Sequence, residues 1–204
     1  MATDGGSDRR TDLLAAAAAL FRARGYQGTS MDDIAKAVGL NKGTLYHYIP
    51  SKAGILFEIY RTAQETALAR IRSIPLDMPV EEAVAEIIRM HLRSIDERPA
   101  ETAVYFQEMR WIEEWLTAEQ IAILRTNERA YLERATEFVQ RGIDTGRFAP
   151  TDAATVGAGF VGLAAWTYQW FDPTGPHTVD DVAEVFIPMV LHGLAGERLS
   201  EPVA

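Results

Sequence analysis

NKGTLYHYIPSK, residues 41–52, directly follows SMDDIAKAVGL, residues 30–40, and the two segments spell a pair of short helices joined at a glycine. Ser30-Met31-Asp32-Asp33 is a capping-box pattern, with acidic residues favoured at the positive end of the helix it opens. Ile34, Ala35 and Val38 supply that helix's inward face, and Gly39 makes the turn. Asn41 can cap the next helix, which Pro50 ends. Two short helices in this order, the second rich in polar donors, predict a DNA-reading helix-turn-helix.

The second helix carries the groups such a reader needs: short polar side chains at its entry for base edges, and donors along its flank for phosphates. Asn41 can pair bidentately with adenine, Lys42 can donate to guanine O6 and N7, and the Thr44 methyl can touch a thymine methyl. Gly43 lets the backbone approach the groove closely. Tyr46, His47 and Tyr48 offer donors to phosphate oxygens, and Lys52 adds a cation beside the N-terminus of a following helix. Taken singly these residues are ordinary. A tyrosine can simply pack a small head, and a lone lysine is commonly a solvated charge. The specificity lies in the whole pattern, from capping box to the Pro50-Ser51-Lys52 exit.

Outward from this stretch the apolar residues recur with helical period and no segment alternates like a strand, so the expected fold is all-α with about nine helices. Leu13, Ala17, Leu20 and Phe21 stripe a first helix ending near Gly25, giving a three-helix head in residues 1–50 and a helical body in residues 51–204. Ser51 caps a helix to about Ser73, and Pro79 suits the first turn of the next, where Val84, Ile87, Ile88, His91 and Ile95 share a face. After Pro99, Tyr105, Met109, Ile112 and Leu116 form a second stripe with Trp111 and Trp115 on its shoulder. Thr117-Ala118-Glu119-Gln120 opens a long helix carrying Ile121, Leu124, Tyr131, Ala135, Phe138 and Gly142. The last two helices are expected at 152–171 and 178–195.

The net charge of −9 opposes DNA binding until it is divided along the chain. Residues 1–52 hold seven Lys/Arg against five Asp/Glu, whereas residues 53–204 hold thirteen against twenty-four. A mildly basic head on an acidic body steers phosphate to one end. With no cysteine there is neither a disulfide framework nor a cysteine zinc site, and no HExxH or cofactor motif occurs, so no metal or cofactor is expected. Arg9-Arg10 before LLAAAAALF imitates a signal peptide, but Asp12 interrupts it and Arg22 and Arg24 follow. Residues 153–171 lack any charge, yet they include three glycines and are flanked by Asp152 and Asp172 rather than basic anchors. They suit an oligomer seam better than a membrane, and a cytoplasmic location follows as the expectation.

LFRARGYQGTSMDDIAKAVGLNKGTLYHYIPSK resembles the N-terminal domain of TetR-family transcriptional regulators, with the match running from about Leu13 to Tyr60. The resemblance implies an all-helical homodimer whose body binds a small inducer and thereby alters the separation of two DNA-reading heads. It implies a ligand-responsive repressor on a palindromic operator, and not an enzyme. Lys42, Gly43, Thr44, Tyr46, His47 and Lys52 match the family's DNA-contacting positions. The family's usual aromatic-aromatic-His-Phe exit is displaced here to Tyr46-His47-Tyr48-Ile49, so no contact is carried over for Tyr48. The segments WTYQWFDPTGP, residues 166–176, and LHGL, residues 191–194, are similar to regulators of fatty-acid or steroid breakdown. Several of those sense acyl-CoA thioesters, which implies a small apolar inducer of that kind.

Two expectations concern the body. Along 152–171, Ala154, Ala158, Gly162 and Ala165 make a small face suited to a symmetric seam, with Val156, Leu163, Trp166 and Trp170 turned inward. Val182, Val185, Phe186 and Met189 extend the seam from a last helix that Pro188 should kink. Trp111, Trp115, Tyr131, Phe138, Trp166 and Trp170, with His91 and Arg110, are expected to line an apolar pocket holding a few polar fixtures. The competing reading makes these aromatic residues plain core and the protein a regulator without an inducer. Activation is the alternative to repression, because the sign depends on operator position.

Overall fold

The computed structural model describes residues 4–195, with side chains from residue 9 onward. In chain order the helices are α1 (Asp4–Arg24), α2 (Met31–Ala37), α3 (Lys42–Tyr48), α4 (Lys52–Ser73), α5 (Val80–Glu97), α6 (Pro99–Glu108), α7 (Ile112–Trp115), α8 (Ala118–Asp144), α9 (Ala153–Trp166) and α10 (Val179–Leu194). Two 3-10 turns, Met109–Trp111 and Thr167–Gln169, follow α6 and α9. Because α7 is only four residues long, nine helices exceed one turn, and no strand occurs among the described residues.

The chain packs as two units, Met1–Thr66 with Arg98–Asn127, and Ala67–Glu97 with Glu128–Ala204. A head of about fifty residues buries little core by itself. Leu13, Ala17 and Phe21 of α1, Ile34 and Ala35 of α2, and Leu45 of α3 are completed by Ile55, Leu56, Ile59 and Tyr60 of α4. Val104, Leu116 and Leu124 close the same core. The Tyr60 hydroxyl donates to the Tyr105 carbonyl at 2.6 Å, fastening α4 to α6.

The stripe after Pro99 spans more than one element: α6 stops at Glu108, and Leu116 is extended. The cause is local. The Thr117 N–H donates to Gln120 Oε1 at 3.0 Å while the Gln120 N–H donates to Thr117 Oγ1 at 3.2 Å, and such a box requires non-helical backbone before α8. Met109 and Trp111 are exposed and give no apolar reason to continue the helix.

In the second unit α5 buries Val80, Ala83, Val84, Ile87, Ile88, Leu92 and Ile95 against α8, α9 and α10. Pro79 lies just before α5, its carbonyl accepting from the Ala83 N–H at 2.9 Å. Contrary to expectation, α9 ends at Trp166, and its inward face is Ala153, Gly157, Phe160 and Ala164. A Cβ on Gly157 would stand 3.2 Å from Thr136 Oγ1 and 3.3 Å from its N, so α9 meets α8 too closely for a bulky inward side chain. Trp166 and Trp170 are 63% and 54% exposed, Val156 and Leu163 half-buried. The Thr178–Asp181 capping box starts α10, whose Val182, assigned to the seam from sequence, is buried inside the protomer.

A polar pair sits in this unit: the Tyr131 hydroxyl lies 3.0 Å from His91 Nδ1, joining α8 to α5. Burial lowers the His91 pKa from 6.5 to about 4 and raises that of Tyr131. A histidine pKa depressed in the folded state stabilises the fold above pH 6.5 and loses that stabilisation as pH falls towards 4, by about 3 kcal/mol in all. Urea melts between pH 6.5 and 5, where ordinary carboxylates scarcely titrate, should therefore show falling stability, and His91→Gln should flatten the trend. Equal slopes in variant and parent would exclude His91 as the titrating group.

Candidate nucleic-acid interface

Gly25 and Gly39 punctuate the head with φ of 74° and 68°, values that L side chains rarely adopt. The Leu40 N–H then donates to the Ala35 carbonyl at 2.9 Å, closing the turn between α2 and α3. Asn41 caps α3: its Oδ1 accepts from the Thr44 N–H at 2.8 Å and the Thr44 hydroxyl at 3.0 Å. Leu45, fully buried, and Ile49 anchor the helix to the core. That anchoring leaves Lys42, Gly43, Tyr46 and His47 exposed and Thr44 and Tyr48 half-buried.

Each sequence-predicted contact residue thus has a defined place. The Asn41 acceptor is engaged in capping, leaving its amide hydrogens for a base. Lys42 Nζ rests 3.0 Å from Asp32 of α2, and that hydrogen bond and charge raise its pKa. A Cβ on Gly43 would meet only Asn41 Oδ1, at an ordinary 3.4 Å, so the fold itself does not require glycine there. Lys52 does not extend freely into solvent. Its ammonium donates to the Tyr26 and Thr29 carbonyls, each at 2.8 Å, and burial lowers its pKa. Two of its three hydrogens are engaged, and one remains for a phosphate. Sequence reasoning assigned no role to Arg10, which donates to the Tyr48 carbonyl at 3.4 Å and pairs with Glu58 at 3.0 Å. Nothing in the local pattern signals a contact across thirty-eight residues.

Of the residues expected to line a pocket, Arg110, Trp111 and Trp115 belong to the first unit and His91, Tyr131, Phe138, Trp166 and Trp170 to the second. His91 and Tyr131 meet. Phe138 is fully buried with the Arg134 and Arg141 guanidinium groups 4.9 and 5.3 Å from its centroid. Trp115 stacks on Tyr26 with centroids 4.3 Å apart, and Arg110 lies over the exposed Trp111 at 5.4 Å. The expected seam fares differently. Ala154, Ala158, Gly162, Val185 and Met189 are all exposed, with Ala165 and Phe186 half-buried. Trp170 sits edge-on to Phe186 at 6.4 Å. Among the described residues no helix is long and apolar enough to cross a membrane.

Residues 13–59 match the model of the bacterial regulatory proteins of the tetR family, and residues 77–194 match that of the tetracyclin repressor-like C-terminal domain. The chain belongs to the TetR family of helix-turn-helix transcriptional regulators. It is 31% identical over 195 residues to the HTH-type transcriptional repressor KstR2 of Rhodococcus jostii, covering 95% of this chain and 94% of that one. The solved ketosteroid transcriptional regulator KstR2 of Mycobacterium tuberculosis superposes with a TM-score of 0.82 at 26% identity, over 93% and 96% of the two chains. AibR in complex with isovaleryl coenzyme A and operator DNA gives a TM-score of 0.77 at 26% identity, over 89% and 97%.

Gly43→Ala isolates the glycine's role. Alanine is the better helix former, so stability to urea should rise by ~0.5–1 kcal/mol. Affinity for a duplex selected from a random pool should fall, because a methyl now faces the groove. Unchanged duplex affinity would show that nothing approaches Gly43.

Proposed function

We propose that this chain is a homodimeric, cytoplasmic, ligand-responsive repressor whose α3 reads a palindromic operator. The observation that carries the reading is the exposed face of α3, where Lys42, Tyr46 and His47 flank a glycine that the fold does not need. Lys42 and Thr44, with the Asn41 amide, read base edges, while Tyr46, His47, Tyr48 and the remaining Lys52 hydrogen grip phosphates. Two heads on half-sites about one helical turn apart give the affinity that one short helix cannot. The chain-to-chain seam is the uncharged outer face of α9 with Val185 and Met189 of α10, since such a face is rarely left to solvent. Trp166 and Trp170 belong to that face.

The inducer we infer is an acyl-CoA or a similar apolar carboxylic derivative. Its support is the likeness to AibR, solved with isovaleryl coenzyme A, and to the ketosteroid regulator KstR2. His91 and Tyr131 are the polar fixtures inside the second unit suited to such a ligand. The engagement of Trp115 and Phe138 in packing favours plain core roles for those two aromatics. Inducer lowers operator affinity only through its preference for the non-binding conformation, and a coupling of about 1–3 kcal/mol gives about 5–150-fold.

Fluorescence anisotropy tests both parts. Lys42→Ala should lose ~1–3 kcal/mol on the selected duplex and much less on a scrambled one. Acyl-CoAs of increasing length should release the duplex, with free acids and coenzyme A as controls. If none alters affinity or melting temperature, the inducer class is wrong and the DNA reading stands. Gly162→Arg should yield a folded monomer by analytical ultracentrifugation at micromolar concentration. A persistent dimer would place the seam elsewhere.

A further inference from the structure

Tyr26 lies in the turn between α1 and α2, and three elements remote in sequence converge on it. Its N–H donates at 3.0 Å to Glu108, the last residue of α6. Its carbonyl accepts at 2.8 Å from Lys52, the first residue of α4, whose ammonium also stands 4.4 Å from the Tyr26 ring centroid. The ring stacks on Trp115 of α7 at 4.3 Å with an interplanar angle of 27°. Glu108 is one of few buried charged or polar side chains, and Thr29, which shares the Lys52 ammonium, is another. Burial and the Glu108 charge raise the Tyr26 pKa.

A carboxylate is costly to bury unless it is hydrogen-bonded. Here the anion faces the N–H of Tyr26 and the cation faces its C=O, so one residue's backbone is held at both ends by charge-assisted bonds. The turn is further closed from within, the Thr29 hydroxyl donating to the Gly25 carbonyl at 3.0 Å. Four residues beyond Tyr26, Ser30 caps α2, and α2 supports α3 and holds Lys42 through Asp32. The angle at which α2 leaves this turn therefore sets where α3 presents its donors.

We propose that Glu108 is a positioning residue of the DNA-reading head, fixing the α1–α2 turn through the Tyr26 N–H. The proposal rests on the DNA reading above. It assigns a DNA-binding role to a residue of α6 that touches no DNA, and its sequence neighbours give no hint of that role.

The full-length chain and a duplex selected from a random pool provide the test. Glu108→Ala should lower affinity at least tenfold, whereas Glu108→Gln, which keeps an oxygen acceptor, should stay within threefold. The dependence of affinity on salt should keep its slope in both, because no phosphate contact is lost. Amide exchange at Tyr26 should accelerate in Glu108→Ala alone. Ile87→Ala, a core truncation in the other unit, controls for general destabilisation and should leave duplex affinity unchanged. If Glu108→Ala does not fold, Trp115→Leu, which removes the ring stack, should weaken duplex binding with the slope unchanged. Parental affinity in a folded Glu108→Ala or Trp115→Leu, a Gln variant as weak as Ala, an equal loss in Ile87→Ala, or a slope reduced by about one overturns the proposal. A parent chain that selects no duplex would instead remove the DNA reading itself, and this inference with it.

Discussion

Seven residues make too short a helix to persist in water, and both α2 and α3 are that short. Their existence depends on burial of Leu45, Ile34 and Ala35 in a core whose other walls are α1, α4 and the chain between residues 98 and 127. Everything the head can do follows from that constraint. Leu45 points inward, so its neighbours Lys42, Gly43, Tyr46 and His47 point outward as a fixed set. Caps at Ser30 and Asn41 satisfy the open N–H groups at each helix start and set the entry angles.

The head was legible because its instructions are local. The capping boxes at Ser30 and Thr117, the positive-φ Gly39 and the Asn41 cap act within four residues of themselves, and each is where the sequence places it. The body was less legible because its decisive contacts are distant in sequence. Periodicity put the large face of α9 inward, but Thr136 of α8 approaches Gly157 so closely that only small residues and Phe160 fit on that side. Trp166 and Trp170 consequently lie outside. Likewise, nothing around Lys52 announces the two carbonyls more than twenty residues away that hold it.

Charge and apolar surface divide the molecule's tasks. An acidic body disfavours DNA and a mildly basic head accepts it, so on the proposed reading α3 meets the duplex without a strongly basic protein. On the proposed reading the uncharged stretch 153–171 is the counterpart for association, because its outer face carries alanines, glycines and two tryptophans where a solvated helix would carry charge. On the same reading a second copy on that face would give two heads a common frame, and a frame shared by two heads is what an inducer could alter.

The central claim is that α3 is the surface that meets DNA, and amide hydrogen exchange with and without the selected duplex tests it most directly. The account predicts that the duplex slows exchange across residues 41–48 and leaves that of α9 and α10 unchanged. Slowed exchange confined to other helices, with residues 41–48 exchanging as in the free protein, would contradict it.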